Sequence, residues 1–465
     1  MDQLWCELDR TSTTPLYEQL YTHIKNEIIS GRIAYNSKLP SKRKLATFLK
    51  ISQNTIETAY EQLHAEGYIA VLPRKGYFVQ AFESLEYVAP TSSVAASYPS
   101  KKHAHRYTFH PAQIDSRQFP YDKWRKHFRN TMEESNHDLL LLGDGKGERS
   151  FREEIASYLY HSRGVACSVD QIVVGAGIEV LVQQLFLLLS DEQTFGIEDP
   201  GYQLMPKLLK NYAHKLQPIP VDDKGIRVDD IIDSTIDVVC TTPSHHFPYG
   251  SVLSINRRKQ LLDWARGKSG RYIIEDDYDS EFRYTGKTIP SLQSMDQDGK
   301  VIYLGSFSKS LIPSARISYM VMPQPLSDRY ENAFSDYHST VSRIDQHVLT
   351  SFMKTGDFEK HLNRMRKIYR RKLDTVIQLL RPYENTLQII GEHSGLHIVL
   401  VVKNHMTENE LVEAAEREHL KVYPLSYYSL TAPEYKHARI VFGFGSLAEH
   451  ELPDALSSLM KAWNI

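Results

Sequence analysis

The first eighty residues repeat apolar and polar positions at the spacing of three amphipathic helices. Apolar side chains recur every four residues from Leu16 to Ile28, which is the period of a helix with one buried face. Ser41 and Ser52 each precede another run of helical spacing, and serine is a preferred N-cap. Only residues 50–51 separate those two predicted helices, so the pattern predicts a helix-turn-helix.

Two short runs of β type follow the third predicted helix. Residues 68–72 and 76–79 are rich in aromatic and aliphatic side chains and flank Pro73-Arg74-Lys75, which predicts a hairpin with a basic tip. Three helices and such a hairpin are typical of a winged helix, whose third helix enters the major groove while the wing reaches phosphate or the minor groove. We predict that residues 1–80 are a DNA-binding domain whose partner is double-stranded DNA.

The charge distribution agrees with a nucleic-acid partner for this segment alone. The 465-residue chain has a net charge of −2, yet residues 32–75 hold eight lysines or arginines and only three acids. The start of the third helix would meet base edges, and the start of the second helix would contact phosphate. A small helical subdomain with solvated charges is the alternative. The candidate DNA-binding residues are Ser41, Lys42, Arg43, Gln53, Asn54, Thr55, Arg74, Lys75 and Gly76.

A linker follows, and then an α/β pattern. Residues 81–106 show no sustained period and much small polar content, as in a tether long enough to reach a partner subunit. Over residues 107–465, helical patterns alternate with short apolar β runs, which predicts an α/β domain with a mainly parallel sheet. Ligands gather at the carboxyl ends of such strands. The predicted strands are residues 171–174, 193–197, 237–240, 271–274 and 301–304.

One lysine follows the last of these strands. Residues 305–316 read Gly-Ser-Phe-Ser-Lys-Ser-Leu-Ile-Pro-Ser-Ala-Arg, so we expect Lys309 on a loop before the next β run. Such a lysine can hold an aldehyde as a Schiff base, while Ser306, Ser308 and Arg316 suit a phosphate. Pyridoxal 5′-phosphate (PLP) carries both groups. A solvated surface lysine is the alternative.

Three more motifs follow predicted strands. Gly175-Ala176-Gly177 leads into a helical run whose free N–H groups suit a phosphate, and Tyr202 would lie at the rim of the same face. The stretch 275–281 holds five acids in seven residues, and buried carboxylates need a cationic partner such as a protonated pyridine nitrogen. The alternatives are a tight turn, ordinary rim packing and a metal site.

The N-terminal motifs resemble the winged-helix domain of GntR-type bacterial regulators. Many relatives carry arginine where this chain has Gln53, which leaves the base preference at that position open. The segments that carry the resemblance are Leu39-Pro40-Ser41-Lys42-Arg43-Lys44-Leu45-Ala46, Ser52-Gln53-Asn54-Thr55-Ile56 and Arg74-Lys75-Gly76-Tyr77-Phe78-Val79.

The later motifs resemble, in order and spacing, the aspartate-aminotransferase fold of fold type I PLP proteins. The resemblance implies that Lys309 is the Schiff-base lysine, that Asp276 pairs with the pyridine nitrogen and that Tyr278 bonds the ring hydroxyl. It also implies that Tyr202 stacks on the ring. The phosphate would be held by Gly175, Ala176, Gly177, Ser306, Ser308 and Arg316.

A departure from that pattern identifies a subfamily. Residues 242–250 read Thr-Pro-Ser-His-His-Phe-Pro-Tyr-Gly where aminotransferases usually have Asn-Pro-x-Asn-Pro-Thr-Gly. With the winged helix in front, the chain resembles the MocR, or GabR-like, subfamily of GntR regulators. This resemblance implies a homodimeric, PLP-dependent transcription regulator that senses an amine, an amino acid or PLP itself. It leaves open whether the DNA-binding head packs on its own large domain or on the partner's.

Two other functions stay open. The chain is alternatively a working aminotransferase with an appended DNA-binding module, or an inert scaffold. Arg439 is the candidate for an effector carboxylate because its fork suits bidentate pairing, with a surface salt bridge as the alternative. Gln203 and Leu204 stand where some relatives that sense an amino acid carry arginine, which disfavours a simple carboxylate effector held by two arginines.

Cysteine usage and hydropathy bear on the compartment. Cys6, Cys167 and Cys240 are widely separated, which indicates neither a disulfide framework nor a zinc site. The chain start lacks a basic and apolar leader, and no apolar run approaches a membrane span of about 18 residues. We therefore expect a cytoplasmic protein without a membrane partner.

Overall fold

Three helices and a hairpin form the N-terminal unit, as the periodicity predicts. The structure is a computed structural model that describes residues 8–80, 105–189, 192–286, 288–431 and 435–465. The chain divides into two units, residues 1–101 and 102–465. The elements of the first unit are α1 (Leu16–Ile29), α2 (Lys42–Leu49), α3 (Gln53–Ala65), β1 (Ile69–Leu72) and β2 (Gly76–Val79).

The apolar faces of these elements form one core. Leu20 and Ile24 of α1 are fully buried with Ile56 and Leu63 of α3, at the four-residue spacing that places side chains on one helix face. The antiparallel pairing of β1 with β2 closes the unit, with Ile69 opposite Val79. The predicted winged helix is confirmed.

Serine caps begin two of these helices. Ser41 Oγ accepts from the N–H of Lys44, and Ser52 Oγ accepts from the N–H of Thr55 at 3.1 Å. We expect Ser52→Ala to lower the opening free energy of α3 by about 1 kcal/mol, the usual cost of losing such a cap. Hydrogen-exchange mass spectrometry of peptides covering α3 measures this. Thr58→Ala is the control, because the Thr58 hydroxyl only bonds the Asn54 carbonyl inside the helix. Equal losses in both variants would contradict the capping role.

Most of the predicted linker, residues 81–104, lies outside the described residues. His105 and Arg106, its last two residues, already belong to the second unit. His105 Nε2 lies 2.7 Å from Glu416 Oε2, and Arg106 Nη2 lies 2.6 Å from Asp454 Oδ2.

The second unit alternates helices with strands. Its helices are α4 (Tyr121–Thr131), α5 (Arg149–Arg163), α6 (Ile178–Leu188), α7 (Leu204–Asn211), α8 (Asp229–Ile232), α9 (Ile255–Arg266), α10 (Phe307–Ser310), α11 (Gln324–Ala333), α12 (Arg343–Lys354), α13 (Asp357–Leu380), α14 (Glu408–Arg417) and α15 (Leu452–Ala462). Its strands are β3 (Tyr107–Thr108), β4 (Ile172–Gly175), β5 (Thr194–Asp199), β6 (Lys215–Asp222), β7 (Gly225–Ile226), β8 (Val238–Thr241), β9 (Tyr272–Asp277), β10 (Val301–Ser306), β11 (Ser318–Val321), β12 (Leu387–Ile390), β13 (His397–Val402), β14 (Leu420–Lys421), β15 (Tyr423–Pro424) and β16 (Ala438–Gly443).

The main sheet has eight strands in the order β4-β11-β10-β9-β8-β5-β6-β7. The four central pairs, from β10 to β6, are parallel, while β11 and β7 run antiparallel to their neighbours. The predicted α/β fold with a mainly parallel sheet is confirmed. Helices cover the apolar strands of this sheet. A ligand site is therefore expected at the edge of the sheet where the parallel strands end.

A second sheet lies later in the chain. Strands β12, β13, β16 and β15 form a four-stranded antiparallel sheet, which packs on α14 and α15 around the fully buried Trp463. Across the described ranges, the helices are too short or too polar to traverse a lipid bilayer.

Candidate functional site

The carboxyl ends of β4, β9 and β10 and the amino end of β11 meet at one cleft. The sheet register places Asp276 beside Leu304, Ser306 opposite Ser318, and Ser318 opposite Gly175. A cleft of about 430 Å³ opens there. The predicted cofactor residues that line it are Tyr202, Asp276, Tyr278, Ser306, Ser308, Lys309 and Arg316.

Lys309 lies on a one-turn helix, not on the predicted loop. Ser306 caps α10, because its Oγ accepts from the Ser308 N–H at 3.1 Å. The turn directs Lys309 Nζ into the cleft, 3.3 Å from the Pro111 carbonyl oxygen and 4.6 Å from the centroid of the Tyr278 ring. Burial lowers the pKa of Lys309, although Asp279 and Asp276 act in the opposite direction. A lowered pKa makes the neutral, nucleophilic amine more accessible.

The five acids of residues 275–281 lie at the carboxyl end of β9, which includes the first three of them, and four have partners of their own. Glu275 is fully buried and accepts from the N–H groups of Leu292 and Gln293 at 2.8 and 2.9 Å. Burial raises the pKa of Glu275 to about 7. Asp277 accepts from Arg163 Nε at 2.7 Å. Both of these carboxyl groups are therefore committed to the protein's own donors.

Asp279 and Glu281 are committed in the same way. Asp279 Oδ1 lies 2.8 Å from His245 Nδ1, and Glu281 Oε1 accepts from the Tyr158 hydroxyl at 3.1 Å. Among the described residues, only Asp276 of the five acids lines the cleft, and its carboxyl makes no hydrogen bond there. Burial, and next the charge of Asp277, raise the pKa of Asp276 to about 7. A cation in the cleft would oppose that shift.

The described residues contain no group of three potential metal ligands. The alternative hypothesis, a metal site at residues 275–281, therefore has no cluster of ligands among the described residues. Four of the five acids there are bonded to protein donors. Cys167 and Cys240 are free thiols.

Hydroxyl groups and an arginine form the other end of the cleft, and the predicted turn Gly175-Ala176-Gly177 adjoins this end without lining the cleft. Ser306 Oγ donates to Ser308 Oγ at 2.9 Å and accepts from Ser318 Oγ at 3.0 Å. Gly177 has a φ of 102°, and a Cβ there would collide with Arg316 Nη2. The guanidinium thus lies directly over the turn that begins α6. The N–H of Ala176 is already bonded to Thr340 Oγ1 at 2.9 Å.

Two tyrosines, Tyr202 and Tyr278, line the cleft with Lys309, and the buried His245 contacts Tyr278. Tyr278 Oη lies 3.0 Å from His245 Nδ1, the nitrogen that also faces Asp279. A proton on Nδ1 would be shared between the Asp279 carboxyl group and the Tyr278 oxygen, which leaves the Tyr278 hydroxyl its own proton to donate. Tyr202 is 47% exposed, with its ring 5.9 Å from Phe247 in a T-shaped contact. An exposed ring at the cleft is free to stack on a ligand.

Arg439 is not among the residues that line the cleft. Its Nη1 donates to Tyr249 Oη at 2.8 Å, and its guanidinium lies 3.9 Å from the Tyr435 ring centroid. Within the described ranges Arg439 forms no salt bridge. The structure therefore shows it neither in the cleft, as an effector contact requires, nor in the surface salt bridge given as the alternative. The Arg439 guanidinium, which extends from β16, is held by Tyr249 and Tyr435. Its role toward an effector stays a prediction.

Several cleft residues were not anticipated from the sequence. Glu179 and Lys207 are charged and line the cleft, and Pro111 receives the Lys309 hydrogen bond. His245 belongs to the stretch whose departure from the aminotransferase pattern is visible in the sequence. The sequence signal for Glu179 was weaker, because it consists only of the position of this residue, two after the glycine turn.

The predicted DNA-binding residues lie on the surface of the first unit. Gln53 and Asn54 are exposed at the start of α3, and Thr55 is half-buried against the Ser52 hydroxyl. In the wing, Arg74 and Lys75 are exposed, and Gly76 takes a φ of 109° to turn the hairpin.

The start of α2 has a more mixed role. Ser41 and Arg43 are exposed there. Lys42 is instead paired with Glu57, and its Nζ lies 5.9 Å from the Tyr77 ring centroid. Its positive charge is therefore partly neutralised within the domain.

Two family patterns match the sequence. Residues 113–455 match "Aminotransferase class I and II", and residues 16–79 match "Bacterial regulatory proteins, gntR family". The HTH-type transcriptional regulator YdeL of Bacillus subtilis (strain 168) is 43% identical over 460 residues, 98% of this chain and 99% of that protein. The probable rhizopine catabolism regulatory protein MocR of Rhizobium meliloti is 29% identical over 98% of this chain and 95% of its own.

A solved structure confirms the fold of the second unit. The Pyrococcus horikoshii kynurenine aminotransferase, crystallised in complex with PMP, aligns with a TM-score of 0.70 at 22% identity, over 78% of this chain and 91% of its own. The aminotransferase fold agrees with the eight-stranded sheet and the position of Lys309 after β10. With a gntR domain in front of that fold, and with full-length relatives that are transcriptional regulators, the chain belongs to the MocR-type GntR regulators.

Proposed function

We propose that this regulator binds pyridoxal 5′-phosphate at Lys309 and couples the state of that site to the binding of operator DNA. Residues 1–80 would be the DNA-binding domain, residues 81–106 the linker, and residues 107–465 the PLP-binding effector domain. The effector is an amine, an amino acid or PLP itself. The functional unit is a homodimer.

The observation that best supports this proposal is that the five acids of residues 275–281 differ in their partners. Four have protein partners, whereas Asp276 faces the cleft without one in the described residues. A buried carboxylate without a partner is costly, and a protonated pyridine nitrogen would supply the missing cation. Lys309, with its pKa lowered by burial, lines the same cleft.

The residues of the cleft suit the parts of this cofactor. Bound there, PLP supplies an aldehyde that condenses with primary amines. Lys309 Nζ binds that aldehyde, and Tyr278 donates to the ring hydroxyl while His245 and Asp279 hold its orientation. Tyr202 stacks on the ring. Ser306, Ser308, Arg316 and the turn at residues 175–177 hold the phosphate, and Gly177 leaves room for the Arg316 guanidinium, which a Cβ would meet.

Reductive trapping tests the proposed attachment. The purified protein is mixed with PLP, reduced with borohydride to make the covalent bond permanent, and digested for peptide mass spectrometry. We expect a phosphopyridoxyl mass on the peptide that contains Lys309. The absence of any label, or a label on another lysine, would contradict the proposal.

Transamination, the alternative function, requires an anchor for the substrate carboxylate. Arg439, its candidate, is held by Tyr249 and Tyr435 outside the cleft lining. The cleft therefore lacks this anchor for a substrate or an effector carboxylate, which disfavours turnover of amino acids. A ligand at Lys309 shifts the DNA-binding equilibrium only as far as it binds the two conformations unequally. Steady-state assays with amino acids and a keto acid test this, and rapid multiple turnover would contradict it.

The wing is expected to contact DNA phosphate. Arg74 and Lys75 are exposed and make no salt bridge within the described ranges. We expect Arg74→Gln to reduce the slope of log K against log salt by about 1 on random-sequence duplex DNA, since each phosphate contact releases counterions. Fluorescence anisotropy over a salt series measures the slope.

The control for the wing prediction is Lys210→Gln. Lys210 is an exposed residue of α7 in the second unit, so this variant loses the same charge away from the wing. We expect its salt slope to equal that of the unmodified protein. Equal slopes in the Arg74 variant and the unmodified protein would contradict a phosphate contact at the wing.

A further inference from the structure

The phosphate end of the cleft already contains an anion, the carboxylate of Glu179. Arg316 Nη2 donates to Glu179 Oε1, and both side chains line the cleft. They are about half exposed, 46% for Arg316 and 40% for Glu179. The pair is therefore accessible from the cleft and is not a buried structural bridge.

The position of this pair coincides with the glycine turn. A Cβ on Gly177 would collide with Arg316 Nη2 and would lie 2.7 Å from Glu179 Oε2. Glu179 is the second residue of α6, an 11-residue helix. The first turn of a helix presents unpaired N–H groups and a positive dipole end, which together favour an anion. In this structure a side chain of the helix itself supplies that negative charge.

A bound phosphate would need the same guanidinium. The proposed phosphate ligands Ser306, Ser308 and Arg316 line the cleft beside Glu179. A phosphate monoester carries nearly two negative charges at neutral pH. Two anions held against one arginine repel each other, so Glu179 must release Arg316 when phosphate binds.

We propose that Glu179 is a built-in competitor for the cofactor's phosphate group, which makes PLP an exchangeable ligand of this protein. The inference rests on the proposed PLP site and adds a means of regulation to it. The competition lowers the affinity of the site for the phosphate group. The fraction of protein that holds PLP therefore follows the concentration of free PLP. A glutamate at this position thus favours sensing of the cofactor over its permanent retention.

Titration of cofactor-free protein tests the competition. The probes are PLP and pyridoxal, which has the same aldehyde and ring but no phosphate, and visible absorption reports binding. We expect Glu179→Gln to bind PLP about tenfold more tightly than the unmodified protein, the order expected for removing one partly exposed ion pair and one like-charge contact. Its affinity for pyridoxal should be unchanged. Glutamine keeps the shape of the side chain and removes only the charge.

Glu153→Gln is the matched control. Glu153 pairs with Arg149 on the exposed face of α5, with Nε and Oε1 3.3 Å apart and the glutamate side chain 52% exposed. This variant removes the same charge from a similar ion pair outside the cleft lining, so its PLP affinity should equal that of the unmodified protein.

The outcomes separate the two proposals. The Glu179 role is overturned if Glu179→Gln binds PLP no more tightly than the unmodified protein, or if pyridoxal affinity rises equally. It is also overturned if Glu153→Gln produces the same gain, since a general charge effect would then explain it. If the unmodified protein fails to acquire PLP on Lys309, the proposed function itself fails and the inference fails with it.

Discussion

Lys309→Ala is expected to abolish the covalent attachment of PLP. Lys309 Nζ lies in the cleft beside Tyr278, and burial lowers the pKa of Lys309, which suits it to attack an aldehyde. Without this amine we expect no phosphopyridoxyl peptide after reduction. The apparent affinity for PLP should fall at least about tenfold, a loss of about 1.4 kcal/mol. Visible absorption and peptide mass spectrometry measure both effects.

Lys309→Arg separates the covalent role from the charge. Arginine keeps a positive charge in the cleft, but its delocalised guanidinium is not a Schiff-base former. We expect the same loss of trapping as in the alanine variant. Persistent labelling in either variant would contradict the assignment and point to Lys207, which lines the same cleft.

Arg163→Ala is expected to destabilise the second unit by about 3–5 kcal/mol, the usual cost of leaving a buried charge without its partner. Arg163 and Asp277 have side chains 5% and 2% exposed, and Arg163 Nε lies 2.7 Å from Asp277 Oδ2. The guanidinium also donates to the Ile289 carbonyl and to Ser244 Oγ. Its removal leaves several acceptors unsatisfied, and Asp277 adjoins the cleft residue Asp276.

Urea denaturation followed by circular dichroism measures this loss. Arg149→Ala provides the control on the same helix, α5, because Arg149 pairs with Glu153 and Asp170 on the surface. Exposed pairs contribute only about 0–1 kcal/mol. A similar shift of the urea midpoint in both variants would show that the Arg163 pair adds nothing beyond a surface salt bridge.

The winged helix was predictable because the sequence patterns that specify it are local. The four-residue spacing of Leu20, Ile24 and Ile28 fixes which face of α1 is buried, and all three are buried. Ser41 and Ser52 cap their helices as expected, since a cap depends only on residues three positions away. Strand positions were predictable for a similar reason, because apolar runs alternate with helical patterns, but β9 continues to Asp277, beyond its predicted end at residue 274.

The setting of Lys309 was predicted less well. Its place after β10 is readable, yet the expected loop is the one-turn helix α10. The cause is the Ser306 cap together with β11, which pairs antiparallel with β10 and brings Ser318 opposite Ser306. A four-residue helix has too few positions to show a period, so tertiary pairing rather than local pattern determines it.

By itself the sequence determined the two-part architecture, the place of Lys309 after β10 and the family resemblance, because each depends on local spacing or on motif order. Only the tertiary structure decided which of the five acids of residues 275–281 faces the cleft, that Arg439 is held by Tyr249 and Tyr435, and that Glu179 lies against Arg316. These outcomes depend on partners far away in the chain. Charge pairing across such separations follows from the folded arrangement of strands and helices, which no local pattern encodes.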